Sequence, residues 1–135
     1  MNPLIVDILK RDEGFRGVPY KCTAGKTTIG YGRNLEANPL TQAEAEVLLR
    51  NDIAKVEAEA DKFPWYGSLD PVRQAVVLSA IFQLGPLAWR EFAETIRYID
   101  AGDYIGAARQ MRNSLWAQQT PARVGRLAKM MEDGV

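Results

Sequence analysis

The 135-residue sequence contains no histidine and only one cysteine, Cys22. Without histidine the chain has neither a Ser-His-Asp nor a Cys-His catalytic group, and no zinc site with histidine ligands. A single cysteine allows no intramolecular disulfide and no thiolate cluster around a metal. We therefore expect no metal and no cofactor, and any acid–base chemistry must come from carboxyl groups.

Net charge and long apolar runs are absent as well. The 17 Lys and Arg residues balance 17 Asp and Glu residues, which argues against binding nucleic acid through simple electrostatic attraction. The longest apolar stretch, around residues 75–82, is far shorter than a membrane-spanning helix. The first apolar residues are interrupted by Asp7 and follow no basic segment, unlike a signal peptide. These features predict a cytoplasmic protein without stable membrane insertion.

The residues that are present indicate a globular domain that begins with a helix and a hairpin. The composition is 47% hydrophobic and 25% charged, as in soluble folded proteins. Apolar residues at helical spacing predict a first helix that ends near Gly14, with Glu13 in its last turn. Residues 18–22 and 27–32 predict two strands joined by a turn at Ala24-Gly25.

Helical signals dominate after Pro39. Thr41 and Glu44 form a capping box that predicts a long helix to about Lys62. Asp70-Pro71 predicts the start of an apolar helix that ends at Gly85. Further helices are predicted over about 87–101, from Asp103 to about 114, and from Thr120-Pro121 to Gly134.

These elements predict an α+β fold that is mainly α, with residues 1–135 as a single catalytic domain. The hairpin lobe covers about 15–35 and a connecting helix about 41–62. The helical lobe covers about 63–135 and includes the N-terminal helix. The length leaves no room for a separate binding domain.

Glu13 lies just before the hairpin, whose predicted strands carry Cys22 and Thr28. If the hairpin folds back over the end of the first helix, an acid, a thiol and a hydroxyl line one cleft. Cleavage of a glycosidic bond requires a proton for the leaving oxygen, a held water and stabilisation of a cationic transition state. This combination of groups is suited to glycoside hydrolysis, although the spacing alone does not select that reaction.

The chain also resembles a known family, the phage T4-type lysozymes or endolysins. In the family's catalytic motif a Glu is followed after eight residues by Asp, or sometimes Cys, and after five more by Thr. Glu13, Cys22 and Thr28 have this spacing. The resemblance covers essentially the whole chain, with shorter connections in the middle, and rests on residues 11–16, 20–23, 27–32, 68–73, 80–85 and 116–123.

The resemblance implies a T4-lysozyme-like fold with an active-site cleft between the two lobes. It further implies a muramidase that cleaves the β-1,4 bond between N-acetylmuramic acid and N-acetylglucosamine in bacterial peptidoglycan. Glu13 is then the general acid, while Cys22 and Thr28 position or activate the water. Cys22 stands where most of the family has Asp. Two roles stay open for it: placing the water together with Thr28, or acting as a thiolate base or nucleophile.

Supporting residues also follow from the resemblance. Arg123 is expected to sit near Glu13 and orient it, and the alternative is a surface position in the first turn of the last helix. Trp116 is expected to anchor the core. Contacts to the sugar are expected from Gln83, Phe82, Gly30, Gly32, Thr95 and Gln110, although core packing is the stronger interpretation for Phe82.

Two other functions compete with hydrolysis. A lytic transglycosylase needs only one Glu and forms an anhydro product, whereas an inactive wall-binding protein would keep only the fold. Cys22 and Thr28 at motif spacing favour hydrolysis, and the presence of Glu13 favours an enzyme. The expected protein is a monomeric phage lysis enzyme that depends on a holin to leave the host cytoplasm for the cell wall.

Overall fold

A computed structural model describes residues 2–135 of the chain. These residues form two compact units, one ending at Leu48 and the other running from Leu49 to Val135. Helices account for most of the described residues. The other regular element is a small three-stranded antiparallel sheet near the N-terminus. The predicted α+β class with a helical majority is therefore confirmed.

The first unit contains a helix, an antiparallel sheet and the first residues of a second helix. The helix ends as predicted, because Gly14 has a φ of 69° and its N–H donates to the carbonyl oxygen of Lys10 at 3.0 Å. The first helix is α1 (Ile5–Glu13). The strands are β1 (Arg16–Lys21), β2 (Thr27–Gly30) and β3 (Arg33–Asn34), and they lie in the order β1-β2-β3 in the sheet.

Two predictions for the sheet were wrong in detail. The sheet contains a third strand, β3, which pairs with β2 through Ile29 and Arg33. A strand of two residues is too short to show the alternation by which strands are predicted. Cys22 lies just after β1 rather than on it, in a turn where its N–H donates to the carbonyl oxygen of Lys26.

Helix α2 (Gln42–Ala60) begins at the predicted capping box. The Thr41 N–H donates to the Glu44 carboxylate at 2.9 Å, and the Glu44 N–H donates to the Thr41 hydroxyl at 3.2 Å. Arg33 adds a partner that the sequence pattern did not show. Its guanidinium contacts both carboxylate oxygens of Glu44 and donates to the carbonyl oxygens of Asn38 and Pro39. One side chain thus connects β3, the following loop and the start of α2.

This network predicts a pH-dependent contribution to stability. The Arg33 guanidinium, followed by the Thr41 backbone N–H, lowers the pKa of Glu44 from its ordinary 4.5 to about 2. Because the folded state favours the charged carboxylate, the stabilisation is fully present above the ordinary pKa and is lost as the pH falls through about 2. We expect the difference in unfolding free energy between the parent and Glu44→Gln to shrink across this window, measured by urea unfolding.

Glu46→Gln is the matched control, because Glu46 is an exposed glutamate on the same helix. Its unfolding free energy should follow the parent's as the pH falls. A parent–Glu44→Gln difference that stays constant between pH 5 and pH 2 would contradict the network.

The second unit is helical and contains the buried core. Helix α3 begins at Pro71 as predicted, where the Asp70 carboxylate accepts the Arg73 N–H at 2.9 Å. Its inward face buries Val76, Val77, Ala80 and Ile81. Besides the C-terminal part of α2 and a short 3-10 turn at Tyr66–Ser68, the unit contains α3 (Pro71–Leu84), α4 (Pro86–Arg90), α5 (Ala93–Asp100), α6 (Tyr104–Arg112), α7 (Leu115–Gln119) and α8 (Pro121–Asp133).

The helix predicted over about 87–101 is in fact two helices, α4 and α5. The chain leaves helical geometry at Phe92, whose ψ is 54°. This turn places the Phe92 ring 6.4 Å from Trp89 and edge-on to Trp116 at 6.1 Å. Aromatic packing between distant segments here overrides a helical pattern that is locally continuous.

The sequence pattern did not predict helix α7, which covers Leu115–Gln119. The Ser114 hydroxyl accepts the Ala117 N–H at 3.2 Å and so begins this short helix. The last helix, α8, starts at Pro121 and stops at Gly134 as predicted. Among residues 2–135, no helix has both the length and the apolar character needed to cross a membrane.

Candidate active site

Glu13 is the last residue of α1 and is exposed. A carboxylate at a helix C-terminus opposes the helix dipole, so this position is electrostatically unfavourable for a purely structural residue. The Glu13 side chain lies against the backbone of Gly32, where a β-carbon would be only 2.5 Å from Glu13 Oε2. The sheet therefore presents a backbone surface to the candidate acid.

Cys22 and Thr28 are brought together by the turn between β1 and β2. The Cys22 N–H donates to the Lys26 carbonyl oxygen at 3.0 Å, and the Cys22 carbonyl accepts the Gly25 N–H at 2.8 Å. Thr28 follows on β2, and its hydroxyl is one of the groups that lower the pKa of the Cys22 thiol. The thiol is free and half-buried.

The turn makes this thiol more acidic. Backbone hydrogen bonds at Lys26 and Ala24 lower the pKa of Cys22 below its ordinary value, and the Thr28 hydroxyl adds to the effect, while burial opposes it. Because the thiolate is the reactive form of cysteine, a lower pKa increases its fraction near neutral pH.

Alkylation of Cys22 is therefore expected to reach half its maximal rate at a lower pH in the folded protein than in urea. Iodoacetamide labelling followed by mass spectrometry measures this directly, because the chain has no other cysteine. Thr28→Val should move the midpoint upward, whereas Thr27→Val, on the neighbouring residue, should leave it in place. Identical midpoints in the folded and unfolded protein would show that the turn does not activate the thiol.

Thr27 and Thr28 differ as expected for neighbours on a strand. Thr28 is buried, with 3% of its surface exposed, and its hydroxyl donates to the Lys26 carbonyl oxygen at 2.9 Å. Thr27 is partly exposed, and its hydroxyl accepts from the Lys21 ammonium at 2.7 Å. Alternate residues of a strand face opposite sides, so only Thr28 belongs with Cys22.

Gln83 lies at the end of α3 in a hydrogen-bonded group. The Trp116 indole N–H donates to Gln83 Oε1 at 2.8 Å, and Gln83 Nε2 donates to the Thr120 hydroxyl at 3.4 Å. The Thr120 hydroxyl in turn donates to the Trp116 carbonyl oxygen at 3.2 Å. The group joins the end of α3 to the start of α8. Trp116 is buried, which confirms its predicted place in the core.

The other candidates of the second unit differ in exposure. Phe82 is 46% exposed and lines an open groove of about 610 Å³ that also includes Asp52 and Lys55. Thr95 on α5 is only 2% exposed and so offers little surface to a ligand, whereas Gln110 on α6 is half-buried.

Arg123 lies in the first turn of α8 and is half-buried. Its guanidinium donates to the Ser79 hydroxyl of α3 at 3.2 Å. Nothing in the sequence pattern pointed to Ser79, since the two residues are 44 positions apart.

The structure thus places the sequence-based candidates in two groups, one in each unit. The first unit contains Glu13, Cys22, Thr28, Gly30 and Gly32, and the second contains Phe82, Gln83, Thr95, Gln110 and Arg123.

In the first group, Gly30 is half-buried and pairs with Arg16 across the sheet. The chain from Thr28 to Gly32 can span at most about 14 Å. The Cys22–Thr28 pair and the surface that contacts Glu13 therefore lie on one short segment.

Comparison with known proteins agrees with the sequence resemblance. The model of the phage lysozyme family matches residues 10–129. "Probable T4-type lysozyme 1" of Dictyostelium discoideum is 29% identical over 160 residues, covering 96% of this chain and 94% of the relative. That aligned region is longer than this chain, so the relative contains additional residues. The endolysin of Acyrthosiphon pisum secondary endosymbiont phage 1 is 35% identical over 107 residues, covering 75% of this chain and 70% of the relative. The chain belongs to the phage lysozyme family.

Proposed function

We propose that this protein is a peptidoglycan hydrolase of the endolysin type. In this proposal it cleaves the β-1,4 bond between N-acetylmuramic acid and N-acetylglucosamine, and residues 1–135 form one catalytic domain. The observation that carries the proposal is the extent of the family match. Residues 10–129 include every candidate residue, from Glu13 to Arg123.

Glu13 is proposed as the general acid. It transfers its proton to the glycosidic oxygen as the bond to the anomeric carbon breaks, which removes the charge from the leaving group. No histidine can share this role, because the sequence contains none. The exposure of Glu13 leaves its carboxyl accessible to a polymeric substrate.

Thr28 is proposed to hold the attacking water. Its one hydroxyl hydrogen is donated to the Lys26 carbonyl oxygen, or to the Cys22 sulfur once this is a thiolate, and in either case the oxygen lone pairs are left to accept a hydrogen bond. A water that donates to Thr28 Oγ1 can direct its own lone pair at the anomeric carbon. The water oxygen then forms the new bond, and its second proton passes to a base or to solvent.

Cys22 completes this group in one of two ways. It either helps to place the water together with Thr28, or its thiolate takes the water's proton or attacks the sugar itself. Full activity of Cys22→Ser would exclude the nucleophile. The anomeric configuration of the first product, read by proton NMR, distinguishes inversion from retention.

The candidates of the second unit are proposed to bind or support the glycan. Phe82 offers an exposed aromatic face, and Gln110 a half-exposed amide. Arg123 is proposed as a supporting residue. The Gln83 amide is engaged by Trp116 and Thr120, so a sugar contact would have to use its remaining N–H. Thr95 is proposed to support the glycan-binding residues from within the fold, because it is buried. In the first unit, Gly30 and Gly32 are proposed to lie close to the glycan.

Product analysis tests the proposal. Purified peptidoglycan is digested and the fragments are identified by mass spectrometry. Reducing ends that carry an added water support hydrolysis, and anhydro ends would instead show a lytic transglycosylase. Binding to peptidoglycan without release of fragments would show a wall-binding protein. We further propose that the chain acts as a monomer and reaches the wall from the host cytoplasm with the help of a holin.

A further inference from the structure

We infer that Gly32 is a positioning residue for Glu13. Its bare backbone forms the surface on which the carboxyl group rests, and the missing side chain decides where the acidic proton is presented. The inference rests on the proposed function, in which Glu13 is the general acid. It differs from the sequence-based expectation that Gly32 contacts the sugar.

The geometry at Gly32 is unusually specific to one side chain. A β-carbon built there would lie 2.5 Å from Glu13 Oε2, 2.7 Å from Cδ and 3.0 Å from Cγ. The β-carbons of proteins essentially never come within 3.0 Å of a non-bonded heavy atom, so the first two distances are not tolerated. The three nearest atoms all belong to Glu13. Any larger residue at position 32 must therefore displace the outer part of this one side chain.

We expect the overlap to move the Glu13 side chain rather than the backbone of the sheet. Gly32 lies between β2 and β3, whose backbones are held by the pairing of Ile29 with Arg33. The Glu13 carboxyl is the free end of a flexible, exposed side chain. Rotation of Glu13 therefore relieves the overlap at lower cost than a shift of the paired strands. The protein stays folded while its acid moves.

A moved acid delivers its proton poorly. A general acid must lie within about 3 Å of the atom it protonates. Displacement by about 1 Å is enough to cost on the order of 100-fold in rate. Substrate binding depends on many other groups, so the effect should fall on kcat more than on KM.

Backbone strain must be separated from this effect, because Gly32 has a φ of +69°, a conformation that favours glycine. Gly102 provides the matched control. Its φ is +75°, and a β-carbon there would meet no atom within 4 Å. It lies in the second unit, after α5. Gly102→Ala thus introduces comparable strain without touching Glu13.

The test compares Gly32→Ala with Gly102→Ala. For Gly32→Ala we expect kcat on purified peptidoglycan to fall by about 10- to 100-fold, with a smaller change in KM. The carbon-13 resonance of the Glu13 carboxyl should move in Gly32→Ala and stay in place in Gly102→Ala, while both variants lose thermal stability to a similar extent. Equal kcat values together with an unmoved resonance would overturn the inference.

Glu13→Asp provides a second, independent test, because the shorter side chain withdraws the carboxyl from Gly32. Adding Gly32→Ala to Glu13→Asp should cost much less activity than adding it to the parent, whereas the cost in stability, which comes from backbone strain, should be similar. If Gly32→Ala alone fails to fold, folding of the double variant supports the contact. Failure of both, while Gly102→Ala folds, would assign the role of Gly32 to backbone strain and overturn the inference.

Glu13→Gln distinguishes the two proposals. If Glu13→Gln retains full activity, the proposed function of Glu13 fails, whatever Gly32→Ala does. If Glu13→Gln is inactive but Gly32→Ala behaves like Gly102→Ala, only the role of Gly32 fails. The carboxyl resonance tests the contact in either case, since it needs no activity.

Discussion

Replacing Glu13 with glutamine is expected to lower the rate of peptidoglycan hydrolysis by on the order of 10²- to 10⁴-fold while the protein remains folded. Glutamine preserves the size of the side chain and its contact with Gly32, but it has no acidic proton to transfer. The leaving oxygen would then depart with a developing negative charge. Release of soluble fragments from purified peptidoglycan measures the rate, and circular dichroism verifies the fold.

The matched control for this prediction is Asp12→Asn. Asp12 is the neighbouring carboxylate on α1 and is exposed, where it pairs with Arg11 at 2.9 Å. Asp12→Asn removes one negative charge, as Glu13→Gln does, from the same helix. Its hydrolysis rate should equal that of the parent. If Glu13→Gln clears cell walls as well as Asp12→Asn, Glu13 is not the general acid.

The largest effect on stability is expected at Trp116. Its side chain is only 2% exposed and packs edge-on against Phe92, and its indole N–H donates to Gln83. Trp116→Ala removes this packing, creates a cavity and leaves the Gln83 oxygen without its partner. We expect a loss of about 3–5 kcal/mol in unfolding free energy, measured by urea denaturation.

Two further variants separate the causes of this loss. Trp116→Phe keeps most of the aromatic volume but removes the N–H, so it should cost about 1–3 kcal/mol for the unpaired Gln83 oxygen. Leu115→Ala changes the neighbouring residue, which is 65% exposed, and should stay within about 0.5 kcal/mol of the parent. Equal stabilities for Trp116→Ala and Leu115→Ala would contradict the position of Trp116 in the core.

The expected loss at Trp116 also bears on the proposed site. Trp116, Gln83 and Thr120 form a closed group of hydrogen bonds in which Thr120 immediately precedes α8. Arg123 lies in the first turn of that helix. A stable core around Trp116 therefore determines where α8 begins and where its first turn presents Arg123.

Signals confined to a few neighbouring residues were predicted correctly. The Thr41–Glu44 capping box, the Asp70 cap and the glycine that ends α1 each involve groups within four positions of one another. Their hydrogen bonds form from local geometry alone, so the residue types identify them. The spacing of Glu13, Cys22 and Thr28, together with the family resemblance, likewise named the candidate catalytic residues without coordinates.

Features that depend on residues far apart in the chain emerged only from the tertiary structure. The Phe92 ring at the break between α4 and α5 packs on Trp116, and Arg33 ties the locally capped start of α2 to the sheet. Both join segments whose separation leaves no periodic trace in the sequence.

The absence of histidine left any acid–base chemistry to carboxyl groups, and the resemblance of Glu13, Cys22 and Thr28 to the family's motif then named the candidate acid and the candidate thiol from the sequence alone. Only the tertiary structure decided what surrounds them. It placed the backbone of Gly32 against Glu13, and it gave the Cys22 N–H and the Thr28 hydroxyl a shared acceptor in the Lys26 carbonyl oxygen. Such contacts depend on how the turn and strands fold in space, because a residue's neighbours in a folded chain are set by packing and strand pairing rather than by spacing along the sequence.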